Sequence, residues 1–276
     1  TLVGMLAMGG MIGVLSYLPT YLQMVYGYSA TTSGLLLVPI TIGMLISSIL
    51  SGVLVSRTDR YKIYPVAGPL VAAGAAFWLS RLSTTSPVWQ ISAATFLMGA
   101  GIGLFFQLLV TVVQNALPAK HLGTATSGNN FFREVGVSLG ASLIGAAFSS
   151  GLTSSLTDRI GALAAGSDPT VLDSLARFGD ADTSSLTPSL VNQLPAALHD
   201  AVASSYADAL LPIFGWMIPL FAATAVIALF LPEVPLSRKS GMEQVAEAER
   251  AAAGEADGAE AAEGADGHAA ERVGEQ

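Results

Sequence analysis

The sequence predicts an all-α polytopic membrane protein with six spanning helices, on three observations. Only 12% of its 276 residues are Asp, Glu, Lys or Arg, while 52% are hydrophobic; ordinary soluble domains carry about 25% charged residues. Mean hydropathy is +0.59. Six apolar runs recur between polar or charged breaks, each long enough to cross a hydrocarbon core of ~30 Å as helix. Gly, Ser and Pro inside these runs do not count against helix, because spanning helices tolerate them.

In chain order the spans fall at about 2–26, 33–55, 64–82, 88–113, 126–150 and 209–232. GYSATTS separates the first two, SRTDRYK the second and third, STTSP the third and fourth, and QNALPAKHLG the fourth and fifth. A long segment, 151–208, precedes the sixth span, which ends at PEVPLSRKS. The first 56 residues hold no Asp, Glu, Lys or Arg; Arg57, Asp59, Arg60 and Lys62 then arrive together. Lys and Arg concentrate in cytoplasmic loops, and long loops weigh little in that rule. With alternating spans, Arg57, Arg60, Lys62, Lys120, Arg238 and Lys239 share one side, against Arg81 in the short loops of the other. The SRTDRYK loop and the C-terminus are therefore expected in the cytoplasm, and residues 151–208 outside it. The start at Thr1, inside an apolar run, reads as that of a fragment, with a processed chain as the alternative.

Segment 151–208 holds seven Asp and two Arg. Val171, Leu172, Leu175 and Phe178 share one helical face there, and Leu194, Leu198, Val202 and Ser205 continue a weak stripe, so one or two short surface helices are expected. Residues 233–276 hold eleven acidic and four basic residues and almost nothing large and apolar; such a tail cannot form a core and is expected to be disordered. There is no cysteine, which excludes disulfides, thiol catalysis and Cys-based metal sites. His121, His199 and His268 form no ligand-spaced pair. No metal site, no nucleophile paired with a base and no phosphate-cradling loop is present, so an enzyme is not expected. Without a basic stripe interleaved with aromatics, nucleic-acid binding has no support.

Several polar and small residues stand out within the spans. Gly9 and Gly13, Gly99 and Gly103, and Gly136 and Gly140 repeat at the spacing that lets helices approach closely; packing is the plain reading, sliding during transport the functional one. Gly103, Gln107, Thr111 and Gln114 form a polar stripe on the fourth span. A buried amide there needs a partner or water, which leaves Gln107 and Thr111 facing either a cavity or another helix. Tyr17, Thr20, Tyr21 and Gln23 cluster in the second half of the first span, where tyrosine is also a common interfacial residue. Arg133 and Glu134 stand inside the fifth span, and ionisable residues at such depth are functional candidates, each with a partner to be named; the alternative is an interfacial pair of little consequence. Their side chains point about 100° apart, so at least one needs a partner elsewhere. Glu134 shares its flank with Asn130 and is read as facing a cavity, whereas Arg133 shares a stripe with Gly136 and Gly140 and is read as a helix–helix contact.

The stretch SGVLVSRTDRYK resembles the loop motif between the second and third spans of the major facilitator superfamily: Gly52, Leu54, Arg57 and Arg60 match. Ser56 and Asp59 depart from it and Lys62 falls one position late, as in the degenerate second-half copy. YLPTYLQMVYGYSATTSGLLLVPITIGMLISSILSG is similar to the start of the second half of that superfamily's 14-span drug:proton antiporters, through Pro19, Tyr21, Gln23, Gly27, Tyr28, Ser29, Gly34, Leu35 and Pro39. GTATSGNNFFREVGVSLGASLIGA resembles that group's thirteenth span, with Gly123, Gly128, Asn130, Arg133, Gly136, Gly140 and Ala141 in place, and LPEVPLSRK resembles its usual ending. The resemblance covers about residues 1–240.

The resemblance implies a six-helix bundle of the major facilitator type, corresponding to spans nine to fourteen. It implies proton-coupled efflux of amphipathic or cationic compounds by alternating access across a bacterial cytoplasmic (inner) membrane. It puts the Tyr17–Gln23 segment beside the drug cavity and makes Gly52, Arg57, Asp59 and Arg60 a conformational latch. The expected partners are the lipid bilayer, an N-terminal half that carries the main proton-linked residues, and small amphipathic substrates; no cofactor beyond the proton gradient is implied. A non-transporting scaffold or regulatory half, and an uptake permease, are the alternatives.

Overall fold

The computed structural model describes residues 2–58, 62–115, 122–166, 187–191 and 194–230, and every element among them is a helix. The elements are α1 (Leu2–Tyr26), α2 (Ala30–Leu35), α3 (Val38–Thr58), α4 (Ile63–Ser80), α5 (Val88–Asn115), α6 (Leu122–Gly166), α7 (Pro188–Val191) and α8 (Ala196–Leu229). Six stretches are long and apolar enough to cross a membrane, α2 and α3 together making one of them.

Local chemistry sets the breaks. α1 stops where Gly27 takes φ 66°, the left-handed conformation that glycine supplies just past a helix end. Ser29 then caps α2, its Oγ accepting from the Thr32 N–H at 3.2 Å, which satisfies one of the orphan donors of a first turn. The second span, expected as one helix, is broken at Leu36 and Leu37. Pro39 has no N–H to return to Leu35 and fits only a first helical turn. The chain crosses the break on tighter bonds, Leu37 N–H to Gly34 O and Ile40 N–H to Leu37 O, both 3.1 Å.

The largest departure from the sequence reading is distal to Arg57. α6 does not end near 150 but runs 45 residues to Gly166, a length of about 67 Å. α8 begins not at 209 but at Ala196 and runs 34 residues. Much of the expected loop is thus the continuation of two spanning helices, with α7 between them. The cause is an apolar cluster in which Leu152 and Leu156 of α6 bury against Val202, Tyr206 and Ala209 of α8, together with Met24 of α1 and Val191 of α7. Leu198, Val202 and Ser205 are indeed buried, but on α8 rather than on a separate surface helix. The Val171–Phe178 stripe and the acidic tail lie outside the described residues.

The spanning helices form two groups. α5 packs between α3 and α4; α1 packs against α6 and α8; α4 and α8 join the groups, and α1 touches α5 only sparingly. The main core comes from α1 (Leu18, Tyr21, Leu22), α4 (Ala72, Ala76, Leu79), α5 (Met98, Ile102, Phe105) and α8 (Leu210, Phe214, Phe221). α3 and α6 contribute little to it: their spanning windows are 28% and 11% buried, against 39–50% for the other four.

Backbone-to-backbone seams hold the groups together. A Cβ on Gly9 would stand 2.9 Å from Gly136 O, and one on Gly136 or Gly140 would collide with the Met5 or Gly9 carbonyl. On the other side, a Cβ on Gly99 would collide with Ile40 O, one on Gly103 with Met44 O, and one on Gly43 with Phe96 O. The two seams are copies: MGGMIG at 8–13 returns as MGAGIG at 98–103, and Gly9 meets Gly136 O as Gly99 meets Ile40 O. The consecutive triplets α1–α3–α4 and α5–α6–α8, each split between the two packing groups, thus carry matching seams, as in the inverted repeats common in transport proteins.

Gly99→Leu and Gly136→Leu should each destabilise the full-length protein in detergent by about 3 kcal/mol or more, because the neighbouring backbone cannot yield. Gly74→Leu, where a Cβ meets nothing within 4 Å, should shift the melting point little; comparable losses at all three positions would disprove the seams.

Candidate functional site

A polar group stands inside the apolar run of α6. Asn129 is buried, while Asn130 and Glu134 are exposed on one flank, one turn apart. Arg133 lies on the seam side with Gly136, its side chain 25% exposed against 66% for Glu134. The divergence of adjacent side chains leaves Arg133 Nη2 3.9 Å from Glu134 Oε1, an ion pair in reach but without a hydrogen bond. The other partner of Arg133 is Phe106 of α5, whose ring centroid is 5.0 Å from the guanidinium carbon, within cation–π range. Nothing in the sequence marks Phe106, one aromatic among many in an apolar run.

The first-span candidates divide. Tyr21, read as lining a cavity, is a core residue at 1% exposure. Its hydroxyl is 3.5 Å from Ser83 O, in the turn after α4. Tyr26 donates to Ser86 O at 2.8 Å and stacks on Tyr28 with centroids 5.8 Å apart, so the Tyr21–Tyr26–Tyr28 group ties the end of α1 to the α4–α5 turn. Tyr17 packs its ring on Phe148 at 4.9 Å, and Phe148 meets Tyr206 at 5.7 Å; this too is packing. Gln23 is half-buried and its Nε2 donates to Pro19 O at 3.2 Å, within its own helix. The partners on other elements lie 58 to 131 positions apart in the chain, which periodicity in a single helix does not reveal.

Gln107 and Thr111 lie on α5, but their side chains are outside the described residues, as are Asp59 and Arg60. Gly52 and Arg57 occupy the end of α3: a Cβ on Gly52 would meet nothing within 4 Å, and Arg57 is exposed in the last turn, where a cation suits the helix dipole. Gly9, Gly13, Gly99, Gly103, Gly136 and Gly140 all stand at helix–helix contacts, Gly13 against the Ile144 side chain.

Two hollows flank these helices. An apolar groove of about 490 Å³ runs between α1, α6 and α8, with Gly9 and Gly140 on its floor and Leu143, Trp216 and Leu220 on its sides. A polar one lies distally, where Arg159 of α6 pairs with Asp208 of α8 and the Ser155 hydroxyl donates to the same carboxylate at 3.3 Å. No group of three or more His, Asp or Glu among the described residues is arranged to hold a metal.

The chain has six helices long and apolar enough to cross a membrane, and residues 1–141 match the family model of the Major Facilitator Superfamily. The chain belongs to that superfamily. An uncharacterised MFS-type transporter of Mycobacterium tuberculosis strain H37Rv is 39% identical over 228 residues, 82% of this chain and 31% of the relative. The multidrug transporter protein MdtP of Bacillus subtilis is 30% identical over 256 residues, 88% of this chain and 47% of the relative. A tetracycline resistance determinant of Streptomyces rimosus is 31% identical over 135 residues, 49% of this chain and 39% of the relative. The chain thus spans less than half of the length of these curated relatives. It is a multi-pass membrane protein of a transporter family, not an enzyme.

Tyr26→Phe should lower the stability of this facilitator protein by about 1 kcal/mol through the lost Ser86 bond. Tyr21→Ala should cost about 3–5 kcal/mol through the cavity it opens. Thermal unfolding of the two variants checks the order; a Tyr21→Ala protein as stable as the parent would return Tyr21 to the cavity.

Proposed function

We propose that the chain is the C-terminal six-helix half of a proton-coupled efflux transporter, working by alternating access and exporting amphipathic or cationic compounds across a bacterial inner membrane. The carrying observation is Glu134, a carboxylate exposed on the flank of a spanning helix amid apolar surroundings. A charge there is costly unless used, and at low dielectric it attracts cations strongly. Relatives named for multidrug transport and tetracycline resistance support the substrate class. The under-buried faces of α3 and α6 are the ones an N-terminal half would cover. Gly52, Arg57, Asp59 and Arg60 form the proposed latch on the cytoplasmic side.

In the full-length protein, Glu134→Gln should reach the membrane at parental level and lose efflux of monovalent and divalent organic cations by at least about tenfold, ~1.4 kcal/mol, while neutral compounds are exported as before. Parental efflux of every cation would reduce Glu134 to an interfacial charge. Everted vesicles fix direction: accumulation driven by internal acidification means efflux, its absence uptake or no transport.

The orientation has its own test. An impermeant maleimide added to intact cells should label Ser86→Cys and Ser154→Cys, the latter on the distal extension of α6, but not Ser56→Cys; labelling of position 56 would invert the topology.

A further inference from the structure

We propose that Arg133 is a clasp between α6 and α5 under the control of Glu134. Its guanidinium alternates between the ring of Phe106 and the neighbouring carboxylate, so that neutralising Glu134, by a proton or a cationic substrate, tightens the α5–α6 contact. The proposal rests on the reading of Glu134 as the cation-facing group.

The placement of the contact is the first argument. α5 is gripped by α3 and α4, and α6 by α1 along its own glycine seam, whereas α5 and α6 meet over a short stretch only. Phe106 stands three residues beyond Gly103 of one seam, and Arg133 three residues before Gly136 of the other. The two groups are joined mainly through α4 and α8, and on this side they approach each other through a guanidinium laid over a ring.

The second argument is balance. Arg133 is 5.0 Å from the ring centroid and 3.9 Å from the carboxylate, so neither contact is closed at the expense of the other. A cation–π contact and a partly exposed ion pair are of comparable strength, so one unit of charge on Glu134 decides between them. With Glu134 charged and empty, the guanidinium is drawn from Phe106; with Glu134 neutralised, the ring is its remaining partner. A ligand shifts such an equilibrium only by its differential effect on the two states, and here the differential is the charge it cancels.

Among the described residues no other charge on the packed helices lies beside Arg133 and Glu134; Asp59, Arg60, Lys120 and His121 lie outside the described residues. α1, α4 and α5 contain no Asp, Glu, Lys, Arg or His, and those of α8 (His199, Asp200 and Asp208) sit at its distal end, toward the α6 extension. Arg57 belongs to α3, across α5.

The test measures a distance in the full-length protein. The chain has no cysteine, and Ser56 of α3 and Ser127 of α6 are exposed. Cysteines there, with any in the N-terminal half replaced, carry spin labels for pulsed electron–electron distance measurement in lipid nanodiscs. Acidification alone, or tetraphenylphosphonium alone at neutral pH, should raise the ratio of short to long distances about fivefold. Glu134→Gln should show the short distances without either. Phe106→Leu should abolish both responses and Phe106→Tyr should keep them; Phe106→Met is the second ring-less variant, with the same expected loss. A parent without response, a ring-less variant with parental response, or Glu134→Gln held at the long distances would each overturn the clasp. A parent that responds to acid but not to the cation, with the acid response lost in Phe106→Leu, supports the clasp and removes the cationic-substrate reading instead.

Discussion

Everything else in this bundle depends on backbone contact at its glycines. Within a bilayer, helices gain nothing by hiding apolar side chains from lipid, so association rests on van der Waals packing and close approach. Gly9, Gly136 and Gly140 on one side, and Gly43, Gly99 and Gly103 on the other, bring carbonyls against neighbouring backbone where any Cβ would collide. Each seam fixes one weakly buried helix, α6 or α3, to the helix that carries it into the core. A contact made of backbone has little side-chain freedom to lose; between the two seams, by contrast, α5 meets α1 and α6 only sparingly, and the groups join mainly through α4 and α8.

How much of this was legible follows from what each residue reports. α1 runs over the residues its apolar run marks, because Gly27 ends it chemically. The break at Leu36 and Leu37 was not foreseen, although Pro39 is the cause and stands in the sequence; spanning helices tolerate proline, so its presence alone does not say which one breaks. The extensions of α6 and α8 were illegible for a different reason. GLTSSLTDRIGALAAG reads as loop because its polar residues dilute the apolar period, and its helix is settled by Leu152 and Leu156 meeting Val202 and Tyr206 some 50 positions away. Arg133 and Glu134 announced themselves as charges in an apolar run; Phe106, which gives Arg133 its partner, had no such contrast.

The internal repeat explains a further feature. With MGGMIG laid on MGAGIG, Tyr17 and Tyr21 fall on Gln107 and Thr111. The four candidates are thus two copies of one pair of positions. α1 and α5 run in opposite directions, so equivalent positions emerge at opposite ends of the bundle. The tyrosines fall at the distal end, where Ser83, Phe148 and Tyr206 take them into packing. Positions 107 and 111 fall at the end that holds Phe106, Arg133 and Arg57.

The two ends of the bundle differ in what joins the helices. At the distal end, aromatic rings and the Arg159–Asp208 pair bind α1, α6 and α8 into one body. At the other end no such cluster joins α5 to α6 among the described residues, and their short contact includes the guanidinium of Arg133 over the Phe106 ring. Rocking needs one end of a helical unit to hold while the other changes partners. Under the proposed alternating access, the asymmetry laid over the repeat would supply that difference, with the changing end beside Glu134.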